Sequence, residues 1–321
     1  YNVPAYMQDC TYLYQQNSVY AMCEVLRNRR AMLGLTQEQL CEGICSVKSL
    51  RRAEKGQTDM QMESVRKILN RLGLSGQMQW GRLITNDRDV IKDAEKLIYY
   101  MNNRDYVMAY EKLEKLKLKV SFDIPQNKQF FMEKQAVLDL EQKKIDLREF
   151  LKMEKEALRC TLPIDNLLNQ TSVYLTEREV TCIRNSWSGM EEQEKRKSIR
   201  FLLKFYEKYI EDKGVSEVIS MYEFVTEGVV EEMGNMGEHE FAQKIDRKAI
   251  RASLSCRRLC DIHYKLYDIW WNENERKKKE GKETSKDEKC RVFKKCIILS
   301  HYVKRYFYEK IYREKLEKLI K

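Results

Sequence analysis

The chain is poor in the residues that interrupt helices. Its 321 residues include only three Pro and twelve Gly, too few for a β-rich protein whose many turns need both. No run of about 18 apolar residues occurs, so the sequence predicts no membrane-spanning helix. We therefore expect an all-α fold of amphipathic helices, with wet outer faces that hold the 34% of residues that are charged.

Motifs that carry catalysis or bind metals are also missing. The sequence has no Gly-rich phosphate loop, no Gly-x-Ser-x-Gly and no His-Glu-x-x-His, so we predict no enzyme activity, no catalytic residue and no cofactor. The ten Cys are scattered rather than spaced as a disulfide framework, which favours a reducing, cytoplasmic compartment. None of the three His stands at ligand-like spacing from a Cys pair. Because zinc needs four ligands, we predict no metal site.

Four short helical patterns follow one another near the start of the chain. Apolar residues recur at helical spacing over residues 20–33 and 62–72, and each pattern ends at a glycine. Between them, Thr36 followed by Gln39 has the spacing of a capping box, and Ser46 has the side chain of an N-cap for a third helix. Short helices joined by tight turns indicate a helix-turn-helix module.

Apolar residues in these patterns supply a small core. They are Val25, Leu26, Leu40, Ile44, Leu50, Val65 and Ile68. We expect Gly43 to let the second and third helices approach closely, and Cys41 to fill a position that requires a small side chain.

Residues 40–46, followed by Leu50 and by Glu54-Lys55-Gly56, resemble the repressor/Cro-like (XRE-type) helix-turn-helix family. They are similar in particular to the branch found in peptide-sensing regulators of Gram-positive bacteria (RRNPP-type regulators), which fuse such a domain to tetratricopeptide-like repeats. The resemblance implies that the third helix enters the DNA major groove. It also implies that the repeats bind a short signalling peptide and dimerise.

The predicted DNA contacts lie on and around the third helix. With the core residues buried, its exposed start and outer face carry Ser46, Val47, Lys48, Ser49, Arg51 and Arg52, whose side chains suit base edges and phosphates. Gln37 is placed to bridge a phosphate and the third helix. Basic side chains elsewhere are predicted to contact the DNA backbone: Arg27, Arg29, Arg30 and Lys55. We expect Glu54 to pair with a basic neighbour such as Arg30.

From about residue 80 the pattern changes to longer helix pairs that resemble tetratricopeptide repeats. Small Ala109 and Ala157 stand where paired helices must pack closely. The predicted pairs are 89–101 with 103–116, 126–141 with 146–162, 176–187 with 192–212, and 215–233 with 238–279, followed by a terminal cap over 286–321.

These patterns divide the chain into three parts. We predict a helical segment over residues 1–19, a helix-turn-helix domain over 20–76, and a repeat array over 80–321 that senses ligand and dimerises. Three Asn near helix starts or turns are candidate peptide ligands, because an amide side chain donates and accepts together: Asn127, Asn166 and Asn169. Each is equally consistent with a helix cap.

An apolar, aromatic face near the end of the array predicts a homodimer. It comprises residues 296–308 with Trp270 and Trp271. Preceding helices, a second chain or both must cover it, since the terminal repeat of a monomer normally presents a polar outer face.

Two functions fit this sequence. The first is a cytoplasmic, ligand-responsive transcription regulator whose partners are double-stranded DNA and a short signalling peptide or other small ligand. The alternative is a non-enzymatic helical adaptor that uses a degenerate helix-turn-helix for protein docking.

Overall fold

The computed structural model describes residues 22–57, 60–74, 83–85, 87–170, 173–213 and 218–320. Every regular element in these ranges is helical, which confirms the all-α prediction. The predicted segment over residues 1–19 lies outside the described residues. Contacts group residues 19–201 into one compact unit, and residues from 202 onward belong to another. The division into domains at residues 76–80 stays a prediction.

Four short helices open the described chain, and eleven further α-helices of 10 to 22 residues follow. The short helices are α1 (Met22–Met32), α2 (Gln37–Cys41), α3 (Val47–Glu54) and α4 (Met62–Arg71). The others up to residue 213 are α5 (Arg88–Asn102), α6 (Tyr106–Lys117), α7 (Pro125–Glu141), α8 (Leu147–Arg159), α9 (Glu177–Ser186) and α10 (Glu192–Lys213). The last five are α11 (Ile219–Asn235), α12 (His239–Ser255), α13 (Ile262–Lys279), α14 (Lys286–Tyr302) and α15 (Tyr306–Ile320).

The helix starts predicted for α2 and α3 are confirmed. Thr36 accepts a hydrogen bond from the Gln39 backbone N–H, while the Gln39 side chain accepts one from the Thr36 N–H, so both halves of the capping box form. The Ser46 hydroxyl accepts from the Ser49 N–H at the start of α3. The role expected for Gly43 is wrong, because a Cβ there would meet nothing within 4 Å. Its φ of +68° is what requires glycine in the turn between α2 and α3.

Small residues stand where the first two repeat pairs pack, as predicted. Ala109 of α6 and Ala157 of α8 are both fully buried. The prediction of one continuous helix over residues 238–279 is wrong, because this region forms two separate helices, α12 and α13. The chain leaves α12 through Arg257 at φ 57°, and the Arg258 N–H donates to the Ser253 carbonyl. This αL turn contains no Gly or Pro that would signal it in the sequence.

The aromatic face near the chain end is partly covered by its own helices. Trp270 packs edge-on against Phe293 at 5.1 Å between ring centroids, and Cys296 is fully buried. On α14, which also carries Phe293 and Cys296, the side chains of Ile298 and Tyr302 are nevertheless 68% and 57% exposed. A homodimer formed over this surface stays a prediction.

Buried ionisable side chains lie in the interior formed by the helices after residue 202. Asp246 of α12 and Lys265 of α13 are fully buried, and the two Asp246 oxygens and the Lys265 Nζ have no hydrogen-bond partner among the described residues. Burial raises the pKa of Asp246 to about 8 from its ordinary value of 3.8, and the attraction of Lys265 opposes that rise only in part.

We expect stability to fall as the pH rises from about 4 to about 8. In this window the folded chain holds a proton on Asp246 that the unfolded chain has released, so the folded state binds more protons and loses stability at up to about 1.4 kcal/mol per pH unit. The measurement is urea unfolding at several pH values for the wild type and for Asp246→Asn. The variant should show a flatter pH dependence, and identical slopes would contradict the assignment.

Candidate functional site

Helix α3 presents a polar face to solvent while its opposite face anchors it. Leu50 is fully buried in the core formed with α1, α2 and α4. The predicted base-contact residues are exposed, apart from half-buried Val47: Ser46, Lys48, Ser49, Arg51 and Arg52. The structure therefore brings this predicted set together on one helix face. Such a face, small enough to enter a major groove, can donate hydrogen bonds to base edges and phosphates.

Gln37 and Glu54 connect α2 and α1 to this helix. The Gln37 amide donates to Glu54 at 2.7 Å, and its oxygen accepts from the Arg51 Nε at 3.3 Å. Glu54 also accepts from the Arg30 Nε at 2.5 Å and from its Nη2 at 3.0 Å, so the predicted Glu54–Arg30 pair is confirmed. Arg30 donates in addition to the Leu35 carbonyl at 3.0 Å. With these bonds Arg30 fixes α1 against α3, and its contact with phosphate stays a prediction.

The prediction that Arg29 contacts the DNA backbone is wrong. Arg29 is fully buried and forms a bidentate pair with Glu179 of α9, at 2.9 and 2.5 Å. Its other bonds go to the carbonyls of Leu72 at 2.9 Å, Thr161 at 2.9 Å and Tyr174 at 3.2 Å. A guanidinium has five N–H donors, and all five are used here. We call these five residues the Arg29 network.

A signal in the sequence could have placed Arg29 inside. Val25 and Leu26 stand four and three residues before it, so helical spacing puts Arg29 on the face of α1 that these core residues bury. Arg27 lies on the exposed face of the same helix, and Lys55 is exposed just after α3. Both stay predicted phosphate contacts.

The backbone after α4 lies directly against the turn after α8. Gly73 has φ +69°, and a Cβ at this residue would stand 2.2 Å from the Thr161 carbonyl oxygen. The Gly73 carbonyl accepts from the Gln126 side chain at 3.1 Å. The Thr161 hydroxyl donates to Glu179 at 2.6 Å and accepts from Gln129 at 3.0 Å. Polar contacts to α7, to the turn after α8 and to α9 thus hold the four-helix module in place.

Asn127 is not available to a ligand, so that predicted peptide contact is wrong. The side chain is fully buried at the start of α7. Its oxygen accepts from the Ile84 N–H at 2.8 Å, and its amide group donates to the carbonyls of Ile84 at 3.0 Å and Ser121 at 3.1 Å. These bonds satisfy backbone groups of the segment before α5 and of the turn between α6 and α7, which is a structural role.

Asn166 and Asn169 do lie at a cavity. Both are exposed and line a groove of about 910 Å³ formed by α8, the segment 164–169, α9 and the start of α10. The Asn169 oxygen accepts from the Lys197 Nζ at 2.7 Å. We call this cavity the α8–α10 groove.

Two negative findings concern the described residues. No group of three or more His, Cys, Asp or Glu in that part of the chain could hold a metal ion. Among the described helices, none combines the length and apolar character needed to cross a bilayer.

Residues 26–77 match the helix-turn-helix family. The match covers most of α1 and all of α2, α3 and α4. The chain therefore contains a helix-turn-helix domain, as the sequence pattern predicted. A comparison with curated proteins finds no relative that matches the sequence.

Most of the chain is similar in fold to two solved structures of complexes with a peptide and DNA. Bacillus thuringiensis PlcR, solved in complex with the peptide PapR7 and DNA, aligns over 92% of this chain and 99% of its own, with a TM-score of 0.55 and 18% identity. ComR from S. thermophilus, in complex with DNA and its signalling peptide ComS, aligns over 93% and 99% with a TM-score of 0.48 and 14% identity. The likeness to PlcR shows a common fold.

Removal of the Arg29 charge should destabilise the protein strongly. Arg29→Met leaves the Glu179 carboxylate buried without its partner, and we expect a loss of about 3–5 kcal/mol. Arg27→Met on the exposed face of α1 is the matched control, with an expected change within about 0.5 kcal/mol. Urea unfolding measures both. The double variant Arg29→Met/Glu179→Met should recover part of the loss, and similar values for the two single variants would refute the buried pair.

A second matched pair tests the close approach at Gly73. Gly73→Ala must adopt a positive φ and also meets the Thr161 carbonyl, whereas Gly34→Ala has a similar φ of +65° with nothing within 4 Å. We expect Gly34→Ala to cost about 1–2 kcal/mol, and Gly73→Ala to cost about 1–3 kcal/mol more through overpacking. Equal free energies of unfolding for the two variants would show that the backbones are not in contact.

Proposed function

We propose that the chain is a ligand-responsive transcription regulator that binds double-stranded DNA through α3. The observation that carries the proposal is the exposed polar face of α3, fixed by buried Leu50, within a segment that matches the helix-turn-helix family. Lys48 and Arg51 can donate to base edges or phosphates, and Val47 can contact a thymine methyl group. Gln37 lies beside this face, where it can accompany α3 into the groove.

Affinity for DNA that does not depend on its sequence comes from exposed basic residues that lie outside the DNA major groove. Arg27 on α1 and Lys55 after α3 are exposed and can neutralise backbone phosphates. Arg29 has no part in this, since its five donors are bonded inside the protein. Binding should therefore weaken with added salt, with a contribution from Arg27 and Lys55 that does not depend on DNA sequence.

The likeness to PlcR, whose structure holds a peptide and DNA, supports a regulator with both kinds of partner. We propose that the effector is a short peptide or another small ligand, that the protein acts as a cytoplasmic homodimer and that it has no enzyme activity. Two domains that read half-sites about one helical turn apart would supply more base contacts than one. The exposed Ile298 and Tyr302 are candidates for the surface between two chains.

Substitutions should separate base recognition from phosphate binding. Lys48→Ala and Ser49→Ala are expected to weaken binding to the specific site by about 1–3 kcal/mol and to relax base preference. Arg27→Ala should weaken binding to specific and random duplexes alike. It should also reduce, by about 1, the slope of the logarithm of the binding constant against the logarithm of the salt concentration. A selection from random duplexes at low salt identifies the preferred DNA site. Fluorescence anisotropy then measures the dissociation constant of each variant for that site and for random DNA.

The same assay discriminates the alternative function. If the wild-type chain shows no salt-dependent affinity for any selected duplex, the proposal is wrong and a docking adaptor with a degenerate helix-turn-helix is favoured. If the Lys48 and Arg27 variants affect specific and random DNA in the same way, the assignment of α3 to the groove is wrong.

A further inference from the structure

The α8–α10 groove has the size and lining of a ligand site. Its volume of about 910 Å³ falls within the range of roughly 300–1,000 Å³ that is typical of pockets for small ligands. Apolar side chains form much of the lining: Leu158, Ile164, Leu167, Ile183 and Met190. A ligand with an apolar body would therefore be removed from water here, which favours binding.

The charges around this lining are mostly positive. Five basic side chains line the groove, namely Lys155, Arg159, Arg196, Lys197 and Arg200, against the two acidic side chains Asp165 and Glu194. Both acids are already paired, Asp165 with Arg159 at 2.6 Å and Glu194 with Lys155 at 3.5 Å. Lys197 donates to the neutral amide of Asn169. Arg196 is paired with Glu192 at 2.9 Å, so Lys197 and Arg200 supply the positive charge for a negatively charged ligand.

The groove and the Arg29 network use the same two pieces of chain. Thr161 and Glu179 bind Arg29 from one side. Residues 164–169, which follow Thr161 closely in the chain, line the groove. Ile183 and Ser186 also line it, and they stand four and seven residues after Glu179 on α9. A ligand that shifts the segment 161–169 or α9 must therefore act on the partners of a buried arginine that belongs to the DNA-binding domain.

We propose that the α8–α10 groove is a regulatory site for a ligand that combines an apolar body with carboxylate groups, and that the Arg29 network transmits its occupancy to α1 and so to α3. This inference rests on the proposed function, because transmission matters only if α3 binds DNA. The carboxylates bind Lys197 and Arg200, while Asn166 and Asn169 supply hydrogen bonds to a backbone or carboxylate. The ligand binds one arrangement of the segment 161–169 and α9 more tightly than another. This difference in ligand affinity sets how much the DNA affinity changes.

The groove can be tested with a fluorescent amphiphilic anion, 1-anilinonaphthalene-8-sulfonate. We expect one high-affinity site on the full chain, and a loss of at least about tenfold in affinity for Lys197→Glu/Arg200→Glu. The matched control is Arg148→Glu, an exposed basic residue on α8 that is outside the groove lining, which should change the affinity less than twofold. Equal affinities for the wild type, the groove variant and the control would overturn the site.

The ligand class is tested by displacement of this probe. The acidic peptide acetyl-Asp-Leu-Leu-Glu and the aliphatic diacid dodecanedioate share the proposed chemistry but come from different sources. Displacement by either one supports the site, and the stronger competitor identifies the source. Displacement by neither overturns the assignment to carboxylate ligands. Acetyl-Lys-Leu-Leu-Lys-amide serves as the control of opposite charge and should not compete.

Transmission is tested by the effect of the probe on DNA affinity. Saturating probe should change the dissociation constant for the selected duplex by at least about fivefold in the wild type and not in Lys197→Glu/Arg200→Glu. Thr161→Val removes the hydroxyl that donates to Glu179 without removal of a charge, so it should retain probe binding and reduce the change in DNA affinity. An unchanged dissociation constant in the wild type, with probe bound, overturns transmission. A chain that binds the probe but no DNA refutes the proposed function and leaves the groove standing.

Discussion

The ion pair between Arg29 and Glu179 is the interaction on which the arrangement of residues 19–201 depends. Both side chains are fully buried, and removal of two charges from water is costly unless their hydrogen bonds are satisfied. All five Arg29 donors are satisfied, and the Glu179 carboxylate also accepts from Thr161 and from the Thr176 N–H. Separation of α1 from α9 would leave these groups buried without partners. The four-helix module is therefore attached to α7, to the turn after α8 and to α9.

This attachment lies on the side of the module away from the exposed face of α3. The contacts with α7, with the turn after α8 and with α9 come from Arg29 of α1 and from the backbone of Gly73, just after α4. Helix α3 takes no part in the Arg29 network, and its hydrogen bonds run inside the four-helix module, through Gln37 and Glu54. A module attached from behind in this way leaves the outer face of α3 open to solvent.

The sequence predicts local features well and distant partners poorly. The caps at Thr36 and Ser46 involve residues only three apart, so their pattern is visible in the sequence. Glu179 lies 150 residues from Arg29, and no local pattern connects them. The prediction that Asn127 contacts a peptide fails for the same reason, because its hydrogen-bond partner Ile84 lies 43 residues away. The basic lining of the α8–α10 groove was likewise hidden, since its residues come from separate helices.

Hydrogen–deuterium exchange of the full chain, with and without a duplex at low salt, tests the central claim most directly. Even DNA of random sequence should meet the protein through the same face, because phosphate contacts set its orientation. The account predicts slower exchange in α3 and in the turn before it, with α9 and the segment 161–169 already protected in the free protein. Protection by DNA that maps outside α1–α4, or rapid exchange around Glu179 in the free chain, would contradict it.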